Sequence, residues 1–172
     1  MNDCIKALTT RRSVKKFKPD AVPENLINEI LKAGINAPTG MNRQSPVMVL
    51  VKDPETLGLI SRLNTEVRGA DKDQFYGAPL AIIVFADSDM FTYIEDGSLV
   101  MGNLLNAAHS LGLGACWIHR AKEVFETEEG KKLKAKWGLG ENYVGIGNCV
   151  LGYADVEPPE RTHKEDYVIY DK

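Results

Sequence analysis

The segment Leu99–Leu113 constrains this chain most, because it is apolar on nearly every side, with Asn103, Asn106 and His109 as its polar exceptions. A helix at the surface of a globular protein needs only an apolar stripe, with polar residues opposite. This helix is too hydrophobic for one face of one sheet, so it must pack on the sheet and on something else. A partner subunit is the simplest second surface. Gly102, Ala107 and Ala108 let another element approach closely, and Gly112 and Gly114 stop the helix. Asp96-Gly97-Ser98 just ahead of it reads as a capping sequence.

The remaining elements fall around it. Residues 1–10 read as a short helix, followed by the basic loop Arg11-Arg12-Ser13-Val14-Lys15-Lys16-Phe17. Pro23 opens a helix with Leu26, Ile27, Ile30 and Leu31 on one face. Ala37–Gln44 reads as a loop, Pro46–Val51 as a strand and Pro54–Leu63 as a helix. Asn64–Gly77 is polar and reads as a mobile connection. Leu80–Ala86 (LAIIVFA), bounded by Pro79 and Asp87, is the clearest buried strand. Ala115–Ile118 is a short strand, and Glu123–Trp137 an amphipathic helix interrupted by Gly130. Val144–Tyr153 is a glycine-bearing strand, and Tyr167–Tyr170 is a terminal strand in the tail. With 172 residues and no internal repeat, the chain reads as one domain, 1–172.

Bulk properties exclude several functions. A net charge of −3 and a pI near 5.7 argue against a nucleic-acid partner, which needs a basic face. Apolar runs such as Leu80–Ala86 are far too short to cross a membrane. No signal peptide opens the chain, and Cys4, Cys116 and Cys149 form no Cys-x-x-Cys, so no metal site is expected. All three cysteines read as structural, and the expected location is a reducing cytoplasm.

Candidate chemistry concentrates in loops. Arg11, Arg12, Ser13, Lys15 and Lys16 place four cations and a hydroxyl within six residues. Arginine makes paired, charge-assisted hydrogen bonds to phosphate, although a solvated basic turn looks the same. Arg161, His163 and Lys164 form a second basic cluster, which alone reads as surface charge. Asn42 and Gln44 both donate and accept, as the edge of a heterocycle requires, or they lie in a plain helix-to-strand connection. His119 ends a short strand and is a better site candidate than His109 on the apolar helix. No Ser-His-Asp arrangement, P-loop or dinucleotide fingerprint is present. No catalytic side chain stands out, and a cofactor that carries the chemistry would account for that.

Together these segments resemble a known family. Thr10–Phe17 looks like the RRSxRxF motif of the nitroreductase family, and Ala37–Gln44 is similar to its APSxxNxQPW loop. Gly77-Ala78-Pro79 with the strand behind it matches the family's "AP" strand. Gly102–Gly114 resembles its central dimer helix and turn. Val144–Asp155, with the basic tail after Pro158-Pro159, resembles its last core strand and C-terminus. The resemblance covers nearly the whole chain, in order.

It implies an α+β fold: an antiparallel-rich central sheet flanked by helices, in an intertwined homodimer whose C-terminal segment, about 158–172, crosses to the partner. It implies bound FMN, NAD(P)H as electron donor, and ping-pong hydride transfer to a nitroaromatic, quinone or similar small-molecule acceptor. Relatives with dehydrogenase, dehalogenase or flavin-degrading chemistry are the alternative, as is a flavin-binding or storage protein with little turnover. By resemblance, Arg11, Arg12, Ser13 and Lys15 hold the phosphate and ring edge, and Arg161 with His163 or Lys164 completes the phosphate site. Pro38, Thr39, Gly40, Met41, Asn42 and Gln44 reach the flavin from the other subunit. Ile118, His119 and Arg120 lie near its reactive face through backbone groups. One departure is plain: Ser45-Pro46 stands where the family commonly has Pro-Trp.

Overall fold

The structure is a computed structural model describing residues 1–171. Lys172, the last residue of the expected crossing segment, lies outside the described residues. Helix α1 (Asp3–Thr10) is capped by the Asn2 side chain, which accepts from Ile5 N. There follow α2 (Glu24–Ile35), β1 (Pro46–Val51), α3 (Pro54–Arg68), β2 (Leu80–Asp87), α4 (Tyr93–Ser110), β3 (Gly114–Ile118), α5 (Ala121–Glu126), α6 (Glu128–Lys136) and β4 (Tyr143–Gly152). A short 3-10 turn at Gly40–Asn42 lies in the loop before β1.

The four strands form one sheet in the order β1-β2-β4-β3, and every pairing is antiparallel. That is the α+β architecture expected. β2 sits inside the sheet and alternates between two apolar faces, as the period of a strand requires. Ala81, Ile83 and Phe85 pack with Leu57, Ile60 and Leu63 of α3, Val124 and Phe125 of α5, and Leu133 of α6. Leu80, Ile82 and Val84 pack with Ile27 and Ile30 of α2 and Val100, Met101, Leu104 and Ala108 of α4. Each fully buried aliphatic or aromatic side chain contributes roughly 1.5–3 kcal/mol. Trp137 closes the first face against Phe85 and Phe125, with centroid distances of 6.2 and 5.7 Å. A bulge sets Ile146 outside the register between Val84 and Phe85. Gly97 of α4 accommodates it, since a Cβ there would lie 2.5 Å from Ile146 Cγ1.

Several boundaries differ from the sequence reading. α3 runs on to Arg68, so the mobile connection expected from Asn64 is shorter. Asn64 looks like a polar break, yet it is fully buried and its amide donates to His119 O at 2.8 Å. α4 begins at Tyr93, three residues before the expected cap, and ends at Ser110 rather than Leu113. Asp96 is therefore inside the helix, its carboxylate engaged elsewhere. The expected helix over Glu123–Trp137 is two helices, because Thr127 is extended and caps the second through its bond from Gly130 N. Tyr167–Tyr170 pairs with no strand of its own chain, and all four side chains are exposed. Cys116 and Cys149 are buried, whereas Cys4 is exposed. α4 also leaves Leu99 exposed and Gly102 facing open space, so one chain does not cover the apolar helix fully.

Gly130 lets α6 turn tightly against α5, since a Cβ there would lie 2.0 Å from Val124 O. Backbone cannot yield as a side-chain tip can. Gly130→Ala should lower the unfolding free energy by about 1–3 kcal/mol in urea titrations at unchanged slope, and an unchanged midpoint would show that α5 and α6 are free to separate.

Candidate functional site

The basic segment Arg11–Lys15 lies along the outer edge of β3. Ser13 bridges Ala115 in parallel, and Val14 N donates to Ala115 O at 3.1 Å. Val14 is the buried anchor of this contact, and Gly114 exists for it: a Cβ there would meet Val14 Cγ2 at 2.7 Å. Alternation then leaves Ser13 and Lys15 exposed. Phe17 continues the lacing to Ala154 beyond β4.

The cations here are not equivalent. Lys16 pairs with Asp155 at 2.7 Å. Among the described residues, Arg11, Arg12 and Lys15 form no ion pair. Arg12 Nη1 donates to Thr9 O and Arg11 O, tying it to the end of α1, while its buried Nε has no hydrogen-bond partner. Unpaired guanidinium and ammonium groups around an orphaned buried N–H suit an anion such as phosphate. Nearby, burial holds the Cys116 thiol above its ordinary range despite the Ser13 hydroxyl, Lys15 and Arg11. Burial pushes Cys149 up to about 12. Neither thiol is a ready nucleophile.

β3 carries the chain to the second group. Ile118 is buried, while His119 and Arg120 are exposed. Arg120 is left-handed at φ 75° and pairs with Glu123 at 2.6 Å. Beneath this turn the fully buried Asn148 donates to Ile118 O at 3.3 Å, beside the Asn64 bond to His119 O. Sequence reasoning missed both asparagines, since a polar residue within an apolar strand or helix face carries no signal of its role until its partner is known.

The third group, Pro38–Gln44, lies elsewhere. It leads into β1, the opposite edge of the sheet from β3. Three strand spacings of about 4.8 Å each put about 14 Å between those edges. Met41, Asn42 and Gln44 all have positive φ, at 51, 54 and 52°, and such non-glycine conformations cost of order 1–3 kcal/mol each unless the surroundings impose them. Asp96 imposes them. Fully buried, its carboxylate accepts from Gly40 N at 2.9 Å, Ser45 Oγ at 2.8 Å and Thr92 Oγ1 at 3.2 Å, gripping the loop on both sides. Ser45 thus has a use that Pro at this position lacks. Thr39 Oγ1 accepts from Gln44 N inside the loop. Behind it, Pro38, Thr39, Asn42 and Gln44 line a cleft of about 550 Å³ with Met48 and Val100.

The first two groups are thus brought together at one sheet edge, and the loop is not. Arg161 and His163 are exposed, and no hydrogen bond or ion pair ties them to either edge among the described residues. Lys164 lies over the Tyr167 ring at 5.5 Å. No cluster of metal-ligating side chains occurs among the described residues, and no described helix is long and apolar enough to cross a membrane.

Removing the Asp96 carboxylate orphans its donors. Asp96→Ala should destabilise the chain by about 1–3 kcal/mol and speed tryptic cleavage after the exposed Arg43, with Ser45→Ala giving a smaller change of the same sign. His109, bonded to Thr10 Oγ1 at 2.8 Å, is held below its ordinary 6.5 by burial, then by Arg11 and Arg12. The unfolded chain then binds the proton more readily, so stability should fall as pH drops through 6.5. His109→Gln should flatten that part of the pH–melting curve.

Known proteins share this chain's fold and sequence pattern. The profile of the Nitroreductase family matches residues 8–153. A Methanothermobacter thermautotrophicus protein, provisionally named an NADH dehydrogenase/NAD(P)H nitroreductase, is 31% identical, covering 96% of this chain and 88% of its own. A Bacteroides fragilis nitroreductase crystallised with FMN superposes with a TM-score of 0.91 at 24% identity, covering both chains completely, which speaks to the fold alone. An FMN-dependent nitroreductase of Clostridium difficile is 28% identical with a TM-score of 0.80, covering 98% of this chain and 99% of its own. With its profile matched from the basic N-terminal segment to the last strand, the chain belongs to the nitroreductase family.

Proposed function

We propose that this chain is an FMN-dependent NAD(P)H oxidoreductase acting as a homodimer. One observation carries the reading: β3 sets the unpaired cations of Arg11–Lys15 and the His119–Arg120 turn along one sheet edge. From Ala115, beside Ser13, to Ile118 the strand advances about 10 Å, a separation suited to a mononucleotide with its phosphate at one end and its ring at the other. Arg11, Ser13 and Lys15 would hold the phosphate and ring edge, with Arg12 Nε as the buried donor. Relatives described with FMN and NAD(P)H support the same assignment.

When bound, FMN supplies hydride chemistry between NAD(P)H and a second substrate, a nitroaromatic or quinone, in alternating half-reactions. The protein's part is orientation and charge. Arg11 and Lys15 offset negative charge at their edge, and backbone groups around Ile118, His119 and Arg120 face the ring system. No side chain need serve as nucleophile.

What one chain leaves apart supports the homodimer. The Pro38–Gln44 loop, at the far edge, would meet the flavin of the partner. The exposed stripe of α4 around Leu99 and Gly102 would form the seam. β1 exposes an open edge, which invites strand addition, and the Tyr167–Tyr170 tail, with Ile169 90% exposed, is apolar enough to cross and pair there. Arg161 and His163 would then approach the phosphate site.

A visible spectrum, repeated without air after NADH and then NADPH, should show flavin bands that bleach. Bands that persist would make the chain a flavin-binding protein, and a colourless protein that takes up no FMN would overturn the assignment. Arg11→Ala should weaken FMN about 10–100-fold in a fluorescence titration, the loss of one charge-assisted contact. Sedimentation should give the mass of two chains.

A further inference from the structure

Two buried amides underlie the turn that ends β3, and nothing in the proposed function yet uses them. Asn148, on β4, donates to Ile118 O, and Asn64, on α3, donates to His119 O. Both side chains are fully buried. Both keep an Oδ1 without a hydrogen-bond partner. A buried acceptor left unpaired costs about 1–3 kcal/mol. A fold built for stability alone has no reason to keep two of them.

Their effect on the backbone supplies a reason. In a trans peptide the C=O and the following N–H point in opposite directions. Ordinarily successive carbonyls of an extended segment alternate sides. Here the Ile118 carbonyl faces β4 as the strand ladder directs and also accepts from Asn148, while the His119 carbonyl, which alternation would send outward, turns inward onto Asn64. The N–H groups of His119 and Arg120 must then both turn outward, on the side away from the buried pair. The reversal is completed by Arg120 in the left-handed region at φ 75°. Among the described residues neither amide donates to a backbone or side-chain acceptor. The outcome is two adjacent, unused donors at a fixed position on the β3 edge, beyond the Arg11–Lys15 cations.

We infer that Asn64 and Asn148 are positioning residues, which hold the amides of His119 and Arg120 outward as a paired donor site for the electron-rich edge of a reduced flavin. The inference rests on the flavin reading above. The pair acts through the backbone and touches no ligand itself. Preorganised donors favour the form that carries more negative charge, so the pair discriminates between the oxidised and reduced cofactor rather than simply adding affinity.

The test uses Asn64→Leu and Asn148→Val, which remove the amides on two different elements, so that failure of one variant to fold leaves the other. Three quantities are read: the melting temperature of each apoprotein, the affinity for oxidised FMN, and the two-electron midpoint potential of bound FMN. The expected result is reduced FMN losing at least tenfold more affinity than oxidised FMN, with some fall in melting temperature, since each substitution takes an amide donor away from a backbone carbonyl. Tenfold corresponds to a potential about 30 mV more negative for a two-electron couple. Variants whose potential equals that of the wild type overturn the inference and leave the flavin reading intact. A lower melting temperature with an unchanged potential overturns it too, since that is the mark of packing alone. A wild-type protein that takes up no FMN overturns the flavin reading, and this inference with it.

Discussion

The whole arrangement is referred to β2, the strand whose side chains are buried on both faces while both its edges are hydrogen-bonded. A strand in that position needs helices on both sides of the sheet. α3, α5 and α6 supply one layer, α2 and α4 the other. With β2 and β4 inside, β1 and β3 become the two edges, and everything with chemical character lies at an edge. The core is apolar and closed; the cations, the left-handed turn and the strained loop are at its margins, where backbone groups are free for other partners.

The two margins are held by buried polar groups with opposite hydrogen-bonding roles. At the β1 side a carboxylate, Asp96, accepts three hydrogen bonds and keeps a loop with three left-handed non-glycine residues in one shape. At the β3 side two carboxamides donate to consecutive carbonyls and fix the turn. In each case a helix or strand of the core reaches out to shape a loop it does not belong to. Polar groups so placed do little for stability compared with apolar side chains of equal size, and their worth lies in choosing one backbone conformation.

Much of this was legible in the residues. The apolar runs at Pro46–Val51 and Leu80–Ala86 and the glycine-bearing strand near Val144–Tyr153 announced their strands because burial leaves a period-2 or unbroken apolar pattern. The five motifs pointed to the family, and the profile match bears that out. Illegible were the residues whose pattern is broken for a tertiary reason. Asn64 ended the apparent helix at Leu63 because its partner, His119 O, is 55 positions away. Asp96 looked like a helix cap, since an aspartate before an apolar run usually is one, yet its acceptors are spent on Gly40 and Ser45. Ser45 looked only like a departure from the family's Pro-Trp and is instead half of that clamp. Thr127 split a helix that charge pattern alone would have continued. Under the proposed dimer the reach of the tail, Arg161 and His163 among it, depends on a second chain, and no pattern within one chain encodes that distance.

The separation of the edges has a thermodynamic consequence under the flavin reading. If the β3 edge of one chain and the Pro38–Gln44 loop of the other close on the same cofactor, neither chain binds it fully alone. A ligand that contacts only the associated state stabilises that state by mass action, so cofactor and partner bind with positive coupling. The strain carried by Met41, Asn42 and Gln44 fits this scheme. Asp96 offsets it within the single chain, before association, so the loop arrives at the interface already ordered. Ordering it on binding instead would charge its conformational entropy against affinity. Under that reading the buried carboxylate prepares a contact that the chain does not make with itself.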